Sequence, residues 1–426
     1  MGLTRRSLLQ GLSGATALMT TGTTLADAAQ RGDRKTPDAP ATPSPTPGAI
    51  TLPDRSNFLF DGIHLNAAYT HPVGLRTTHA TMQYLQSRMR EPGRNWPAQN
   101  ARDDAVRMYA ALINATPTEI AIVPSTLEGE NLIAASLGLG PGAGVVTDPF
   151  HYDASLAMYG ELHKQGMPLS VVTPRDSRID YADLEKAITP ETRLVAISLV
   201  SSDTGFMHDL KTVCEIAHRK GALVYADIIQ AVGGIPFDVR QSGVDFCCAG
   251  MYKWLMGEFG SAFLYIRADR LSQMKRVQLG WRGIKSFKKH FMPFDPPGPV
   301  TGEWTLGTDT ASIFEVSTAD WSALASITGS LAYIDEIGVD RIATHRAPML
   351  NRIQEEIPRA GFIPMTPRDH QGPSVVFAYK GARARFHDPL AQAKIYTTLY
   401  PDKIRISPSV HNGMDDIDAL LRVLMA

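Results

Sequence analysis

Short apolar runs alternate with amphipathic stretches between residues 119 and 266. The runs hold almost no charge, which is typical of strands buried on both faces of a parallel sheet. They predict strands at residues 120–123, 144–147, 169–172, 194–200, 223–226, 246–248 and 262–266. Apolar positions three and four residues apart predict helices at residues 130–139, 154–165, 181–188 and 210–220. This alternation predicts an α/β fold of three layers around a large, mostly parallel sheet.

The rest of the chain follows a different pattern. Helices are predicted at residues 321–337, 340–358 and 415–424, and strands at residues 374–378 and 403–406. Strands and helices that do not alternate regularly are typical of an α+β arrangement. We therefore predict a large sheet domain over residues 51–310 and a smaller α+β domain over residues 311–426.

The amino terminus has the pattern of an export signal. Arg5 and Arg6 precede a weakly apolar run over residues 11–25, and Ala26-Asp27-Ala28 supplies a small-residue cleavage site. Residues 1–28 thus resemble a twin-arginine signal peptide, which implies the twin-arginine export machinery as a partner and a periplasmic or secreted protein. A basic amphipathic helix is the alternative.

Two further expectations concern the same end of the chain. The apolar run is shorter than the roughly 20 residues that a membrane-spanning helix needs, so we expect no stable membrane association. Residues 29–50 are rich in Pro, Thr and Ala and are predicted to form an extended linker.

Composition and spacing exclude several classes of function. The 426 residues include 42 Lys or Arg and 43 Asp or Glu, a formal net charge of −1, so we expect no nucleic-acid partner. Cys214, Cys247 and Cys248 cannot form a disulfide framework, because two of them are adjacent. The histidines and cysteines lack the spacings H-x-x-H, H-E-x-x-H and C-x-x-C, and we predict no metal site.

Chemically distinctive residues follow two of the predicted strands. Asp227 and Gln230 come after the strand at 223–226, and Lys253 follows the strand at 246–248. In open α/β sheets ligands bind beyond the carboxyl ends of the strands. An acid, an amide and a lysine at that edge predict a ligand site there.

Several ordered motifs then resemble one known family. They are residues 65–68 (LNAA), 125–131 (STLEGEN), 224–231 (VYADIIQA), 252–253 (YK), 306–308 (LGT) and 405–407 (RIS). From about Phe60 to Leu424 the chain resembles the class V aminotransferases, pyridoxal-phosphate (PLP) enzymes of fold type I. This family includes cysteine desulfurases, isopenicillin N epimerase and kynureninase. The resemblance implies PLP as the cofactor and a homodimer with shared active sites.

The resemblance also implies a role for each residue at the strand ends. Lys253 is expected to form the Schiff base with PLP and then to move the proton of the substrate Cα, as a partly desolvated amine can. Asp227 is expected to meet the pyridinium nitrogen. Gln230 is expected to donate to the phenolate oxygen of the ring.

The phosphate of PLP is expected at a predicted helix start. Backbone N–H groups of Ser125, Thr126 and Leu127 and the Thr126 hydroxyl would bind it, although a plain N-cap is the alternative for this segment. Tyr252 matches a phosphate-binding tyrosine of kynureninase. Thr308 resembles the residue that reaches the phosphate of the neighbouring subunit, with an ordinary turn threonine as the alternative.

Four more residues are expected around the ring and the substrate. His151 is expected to stack on the ring, unless the adjacent Tyr152 replaces it. Ser202 stands where desulfurases have an asparagine near the ring oxygen. Arg405 matches the arginine that binds the substrate α-carboxylate, for which a planar two-pronged donor is suited, and Asn66 is expected to bind substrate beside it.

The sequence is compatible with several reactions. Desulfurases carry a cysteine ahead of the carboxylate-binding arginine, and residues 397–405 have none. Transamination, epimerisation, decarboxylation and selenocysteine-lyase-like elimination share their first step, and a PLP-fold binding protein is the alternative without catalysis. Residues 234–239 and 405–412 look closest to isopenicillin N epimerase-like members. An exported member of the family acts in maturation of the siderophore pyoverdine, so an amino acid or a peptide-like secondary metabolite is the expected substrate.

Overall fold

The computed structural model describes residues 50–91, 97–369 and 372–426. The predicted signal at 1–28 and all but the last residue of the predicted linker at 29–50 lie outside the described residues. Within the described residues, no helix combines the length and apolar character needed to cross a membrane.

The strands have the following bounds: β1 (Ile63–His64), β2 (Ile120–Val123), β3 (Gly144–Thr147), β4 (Leu169–Val171), β5 (Thr192–Ser198), β6 (Leu223–Asp227), β7 (Phe246–Gly250), β8 (Ala262–Ile266), β9 (Ile284–Lys288), β10 (Glu303–Leu306), β11 (Ile363–Pro364), β12 (Val375–Ala378), β13 (Ile395–Tyr396), β14 (Thr398–Leu399) and β15 (Lys403–Ile406). The helices are α1 (Leu75–Arg90), α2 (Pro97–Leu112), α3 (Thr126–Leu137), α4 (Asp153–Lys164), α5 (Tyr181–Ala187), α6 (Leu210–Arg219), α7 (Val239–Ser242), α8 (Thr310–Phe314), α9 (Trp321–Ile337), α10 (Val339–Glu356), α11 (Ala382–Gln392) and α12 (Met414–Met425).

A seven-stranded sheet organises the first part of the chain. Its strand order is β2-β8-β7-β6-β5-β3-β4, and β8 runs in the direction opposite to the other six strands. Alternate residues of each strand enter opposite cores: in β5, Val195 and Ile197 join one hydrophobic cluster and Leu194 and Ala196 the other. Both faces are therefore covered, and the predicted three-layer α/β fold is confirmed.

The predicted elements form close to their expected positions. The strands at 120–123, 144–147 and 262–266 have the predicted bounds, and the other strands of this sheet differ by at most two residues at either end. The predicted helix at 130–139 is the largest error. It begins at Thr126, because the Ser125 side chain accepts a hydrogen bond from Glu128 N and caps the first turn.

A four-stranded antiparallel sheet, in the order β11-β12-β15-β14, lies in the carboxyl-terminal part. Its buried side chains share one cluster with residues of α10, α11 and α12. The chain before α1 also joins this part, since β1 pairs with β13 and Asn66 bridges to Ser407. Helix α9 packs into the core of the large sheet. The division at residue 310 stays a prediction.

An exposed hairpin connects the two sheets along the chain. Strands β9 and β10 pair antiparallel, and their Phe287 and Trp304 rings stack at a centroid distance of 6.0 Å. Both rings are about half exposed. Thr308 follows this hairpin.

Candidate active site

Parallel strands β5, β6 and β7 bring their carboxyl ends to one edge of the large sheet. Ser198 at the end of β5 is in register with Asp227 at the end of β6, and Asp227 is in register with Cys248 of β7. The chain leaves β7 through the short loop that carries Lys253. The strand ends thus bring Asp227 and Lys253 into one electrostatic environment.

Lys253 provides a largely buried amine. Burial lowers its pKa to about 8, the neighbouring Asp227 carboxylate opposes this shift, and the Arg405 guanidinium adds to it. An amine with this pKa is partly neutral near pH 7, as a nucleophile and proton carrier must be.

Asp227 is only 6% exposed. Its Oδ1 accepts a hydrogen bond of 2.9 Å from the Ile229 backbone N–H. Burial raises the pKa of this carboxyl to about 6, while the Ile229 N–H, His151 and Lys253 act in the opposite direction. A buried carboxylate of this kind gains from a positively charged partner, and a protonated ring nitrogen is one.

Gln230 is held by two neighbours. Its Nε2 donates to the Ala68 carbonyl at 3.0 Å, and its Oε1 accepts from the indole Nε1 of Trp254 at 3.1 Å. The side-chain amide retains one N–H for another acceptor. These bonds fix the orientation of the amide beside Asp227.

His151 is buried and pairs with a carboxylate that sequence reasoning missed. Its Nε2 donates to Glu130 Oε1 at 2.8 Å, and its Nδ1 lies 2.9 Å from Ser198 Oγ. Tyr152 is 46% exposed. His151 interacts electrostatically with Asp227, and whether His151 or Tyr152 stacks on the ring stays a prediction.

Glu130 is the centre of this buried network. It is 1% exposed and also accepts hydrogen bonds from Ser155 Oγ at 2.6 Å and Tyr159 OH at 2.7 Å. Burial opposes both charges, but the pairing outweighs it: the pKa of Glu130 is lowered and that of His151 is raised. The buried carboxylate thereby favours the charged form of the imidazole. An acidic residue between the apolar positions of α3 was the available sequence signal.

The first turn of α3 faces the Lys253 loop. Thr126 Oγ1 accepts a hydrogen bond of 2.9 Å from the Gly250 backbone N–H, so its own O–H is free to donate. A side chain at Gly250 would lie 3.1 Å from both Ile229 and Tyr252, which accounts for glycine there. Ser125 serves as the N-cap, and Leu127 lies in the same first turn.

Tyr252 and Thr308 differ in how the structure places them. The Tyr252 ring is half-buried and stacks on Phe259 at 4.4 Å between centroids. Thr308 is exposed, and within the described part of the chain no hydrogen bond joins it to the residues of this site. Its expected role lies across a subunit boundary and stays a prediction.

Arg405 lies opposite these groups, on β15. It is buried, its Nη1 donates to the Ser202 carbonyl at 2.8 Å, and its Nη2 donates to Thr398 Oγ1 at 3.1 Å. The Thr398 hydroxyl in turn donates to Asn66 Oδ1. The predicted pair Arg405 and Asn66 is thus joined through Thr398, another residue that sequence reasoning missed.

The residues present fit PLP. Arg405 Nε is buried without a hydrogen-bond partner, and among the described residues no carboxylate forms a salt bridge with the Lys253 amine. Burial lowers the pKa of Arg405, the Tyr400 and Asp203 charges oppose this shift, and no carboxylate of the described residues forms a salt bridge with it. The site therefore offers an amine, a buried acid, helix-terminal donors and an unneutralised guanidinium, which are the groups that the cofactor and an amino-acid carboxylate require.

Comparison with known proteins agrees with this chemistry. A model of the family "Aminotransferase class-V" matches residues 76–397. A probable cysteine desulfurase of Methanothermobacter thermautotrophicus is 26% identical over 70% of this chain and 73% of that protein. An uncharacterized aminotransferase, YcbU, of Bacillus subtilis is 30% identical over 66% of this chain and 70% of that protein.

A solved structure agrees in fold. The apo structure of a cysteine desulfurase from Thermococcus onnurineus NA1 matches with a TM-score of 0.75 and 22% identity, covering 85% of this chain and 94% of that one. The chain belongs to the aminotransferase class-V family and has PLP-dependent fold type I. Class V aminotransferases are PLP enzymes, and PLP is the cofactor of this chain.

Proposed function

We propose that the protein acts, outside the cytoplasm, at the amino-bearing carbon of an amino acid or a peptide-like substrate. Arg405 carries this proposal. It is a buried guanidinium with an unpaired Nε, and it is near enough to Lys253 to lower the pKa of that amine. A carboxylate bound to Arg405 would bring the adjacent amino-bearing carbon toward Lys253.

The surrounding residues have complementary tasks in this proposal. Lys253 takes the proton from Cα and returns it, for which a pKa of about 8 is suited. Asp227 would hold a proton on the ring nitrogen of PLP, and His151 would stack on the ring. PLP, when bound, supplies an electron sink that stabilises negative charge at Cα.

Among the reactions that begin this way, carbon–sulfur or carbon–selenium bond cleavage has the most support. Two lines of similarity, in sequence and in fold, lead to proteins named cysteine desulfurase. Cys214, Cys247 and Cys248 are all buried, and burial raises the pKa of each thiol. Because these cysteines are poor sulfur acceptors, we propose a lyase that releases sulfur or selenium rather than a desulfurase that keeps it as a protein persulfide.

Epimerisation is the second candidate. Residues 405–412 (RISPSVHN) resemble isopenicillin N epimerase-like members, and the same proton transfer at Cα serves both reactions. Incubation in D₂O with cysteine, cystine, selenocysteine, other free amino acids and glutamyl peptides distinguishes them. Elimination from cysteine or selenocysteine gives sulfide or selenide with pyruvate and ammonia, and elimination from cystine gives cysteine persulfide with the same two products. Epimerisation gives deuterated product of inverted configuration. Absence of exchange at Cα with every substrate would contradict catalysis at this carbon.

A binding protein that retains PLP without catalysis is the alternative of another class. We expect Lys253→Ala to abolish the covalent attachment of PLP, measured by borohydride reduction and mass spectrometry, and to abolish deuterium exchange. Lys164→Ala, at an exposed lysine paired with Glu161, is the matched control. Attachment without exchange in the unaltered protein would favour the binding protein.

Export rests on the sequence alone and is part of the proposal. Replacing Arg5 and Arg6 with Lys should hold the protein in the cytoplasm, measured by fractionation of cells that express the full chain. The same replacement at Arg31 and Arg34, downstream of the signal, is the matched control. Unchanged export of the Arg5 and Arg6 variant would contradict a twin-arginine route.

A homodimer with shared sites is proposed from the Thr308 motif and the exposed aromatic hairpin before it. Mixed subunits test it. Lys253→Ala and Thr308→Ala proteins, each defective alone, would form one intact site when dissociated and reassociated together, and part of the tight PLP binding would return. No recovery, or a monomer by light scattering, would contradict the shared site.

A further inference from the structure

A second arginine is buried without a carboxylate partner. Arg346, in the middle of α10, is 2% exposed. Its Nη2 donates to the Gly234 carbonyl, while its Nε and Nη1 have no hydrogen-bond partner. Arg102, which is also buried, differs because it pairs with Glu315. Within the described residues no carboxylate pairs with Arg346 in this way.

The charge at this position is only partly compensated. The Arg346 guanidinium lies 5.2 Å from the ring centroid of Trp254, a distance typical of a cation–π contact. Burial lowers the pKa of Arg346 to about 9, so the side chain is still charged at neutral pH. A buried cation without an anion is costly, and an anion that reaches it would bind favourably.

A cavity of about 360 Å³ borders this arginine. Its wall contains both polar and apolar side chains. The polar ones are those of Thr344, Asn351 and Gln354, and the apolar ones include Ile235, Leu350 and Val375. None of Lys253, Asp227 and Arg405 belongs to the described residues that line it. The volume is at the lower end of the range for small-molecule sites.

We propose that Arg346 and this cavity form a second binding site, for a small carboxylate with an aliphatic chain. The guanidinium, Thr344 and Asn351 would receive the carboxylate, and the apolar wall would receive the chain. This site is distinct from the carboxylate position at Arg405. It does not rest on the reaction proposed above, and its occupancy is measured by binding alone.

The site is connected to Gln230 of the candidate active site by two contacts. Arg346 packs on Trp254, and the Trp254 indole N–H donates to Gln230. Trp254 also directly follows Lys253 in the chain. A carboxylate at Arg346 would therefore change the surroundings of the Trp254 ring, and tryptophan fluorescence is a suitable signal of binding.

The test uses the PLP-loaded protein titrated with acetate, butyrate and hexanoate at constant ionic strength. We expect saturable binding that tightens with chain length, by calorimetry and by tryptophan fluorescence. Arg346→Met should weaken butyrate binding at least tenfold, and Arg405→Met should retain it. Arg352→Met is the matched control on the same helix, because Arg352 pairs with Glu356 and Asp418. Equal binding by Arg346→Met and the unaltered protein would overturn the proposal, as would binding lost only in Arg405→Met.

A second measurement needs no variant. A crystal of the unaltered protein soaked with 4-bromobutyrate should show an anomalous bromine peak in the cavity, with the carboxylate at the Arg346 guanidinium. An empty cavity at a concentration that saturates the fluorescence change would overturn the proposal. Binding of 1-butanol as tight as that of butyrate would do the same, since the guanidinium would then contribute nothing.

Discussion

Two environments of largely buried histidines differ in the presence of a carboxylate. At the candidate active site, His151 donates to the buried Glu130, and its pKa is raised. The second environment is a cluster of His64, His71 and His411. The ring centroids of His64 and His71 lie 5.7 and 5.3 Å from that of His411. No carboxylate among the described residues forms an ion pair with these three.

Two hydrogen bonds of the second group go to backbone carbonyls, while His64 Nδ1 and His411 Nδ1 have no partner among the described residues. His71 Nδ1 donates to the Pro72 carbonyl at 2.8 Å, and His411 Nε2 donates to the His64 carbonyl at 3.0 Å. Burial lowers the pKa of His71 to about 3 and that of His64 to about 4, and it lowers the pKa of His411 well below its usual value. Burial alone keeps a histidine neutral, and a buried partner charge is what keeps one protonated.

The largest effect is expected when the carboxylate of the first environment is removed. Glu130→Ala leaves His151, Ser155 and Tyr159 without their common acceptor. We expect a loss of about 3–5 kcal/mol in the free energy of unfolding, the range found when one partner of a buried ion pair is removed. Urea unfolding at pH 7 measures it.

Two variants bound the interpretation of that loss. Glu130→Gln keeps an acceptor oxygen without the charge. Its free energy of unfolding should lie between those of Glu130→Ala and the unaltered protein. Glu128→Ala removes an exposed carboxylate from the same helix and should cost no more than about 1 kcal/mol. A similar loss for Glu130→Ala and Glu128→Ala would show that the pairing does not stabilise the fold.

Lowering the pH should destabilise the protein through the second environment, the histidine cluster. Because the folded pKa values of His64, His71 and His411 lie below the unfolded value of about 6.5, the unfolded chain binds more protons as the pH falls below 6.5. The stability that neutral histidines retain above pH 6.5 is then lost, at about 1.4 kcal/mol per pH unit for each. Asp227, with a pKa of about 6, acts in the opposite direction.

Asp227 offsets the effect of about one of the three histidines. The net loss in the free energy of unfolding should therefore be roughly 3 kcal/mol between pH 6 and pH 5. Urea unfolding at several pH values across this window measures the slope. The ion pair of Glu130 and His151 is not expected to contribute to this slope, because His151 is protonated below pH 6 in both the folded and the unfolded chain. A flat stability profile would contradict the neutral cluster.

The sequence predicted the sheet better than it predicted these environments. Residues 120–123 and 262–266 have the expected strand bounds, because strands buried on both faces appear as uninterrupted apolar runs. Lys253 and Asp227 could be selected because they lie at or shortly after the ends of such strands. The start of α3 was missed, since a polar first turn capped by Ser125 has no apolar periodicity.

The partners of the candidate residues were harder to predict. Glu130 and His151 are 21 residues apart, and their contact depends on how α3 packs against the loop after β3. Thr398 is connected to Asn66 across 332 residues. A single sequence shows which residues carry suitable groups, whereas the hydrogen bonds between distant segments depend on tertiary packing.

A smaller effect should follow when one histidine of the cluster is removed. His411→Phe keeps an aromatic ring beside Phe58 and Phe60 and removes one group that stays neutral on folding. The loss of stability per pH unit between pH 6 and pH 5 should fall by about 1 kcal/mol. Comparing slopes cancels the pH-independent cost of losing the hydrogen bond to His64. An unchanged slope would show that His411 is not one of the groups that titrate.

The smallest effect is expected at a histidine outside both environments. His387 is exposed, and its Nδ1 lies 2.8 Å from the exposed Asp388 carboxylate. This pair resembles that of His151 and Glu130 in residue types, but solvent screens exposed pairs and most contribute little. His387→Ala should change the free energy of unfolding by less than about 0.5 kcal/mol, with the same slope between pH 5 and pH 6. A larger change would mean that residue type alone, without burial, sets the strength of a histidine–carboxylate pair in this protein. Burial would then not explain the difference between the two environments.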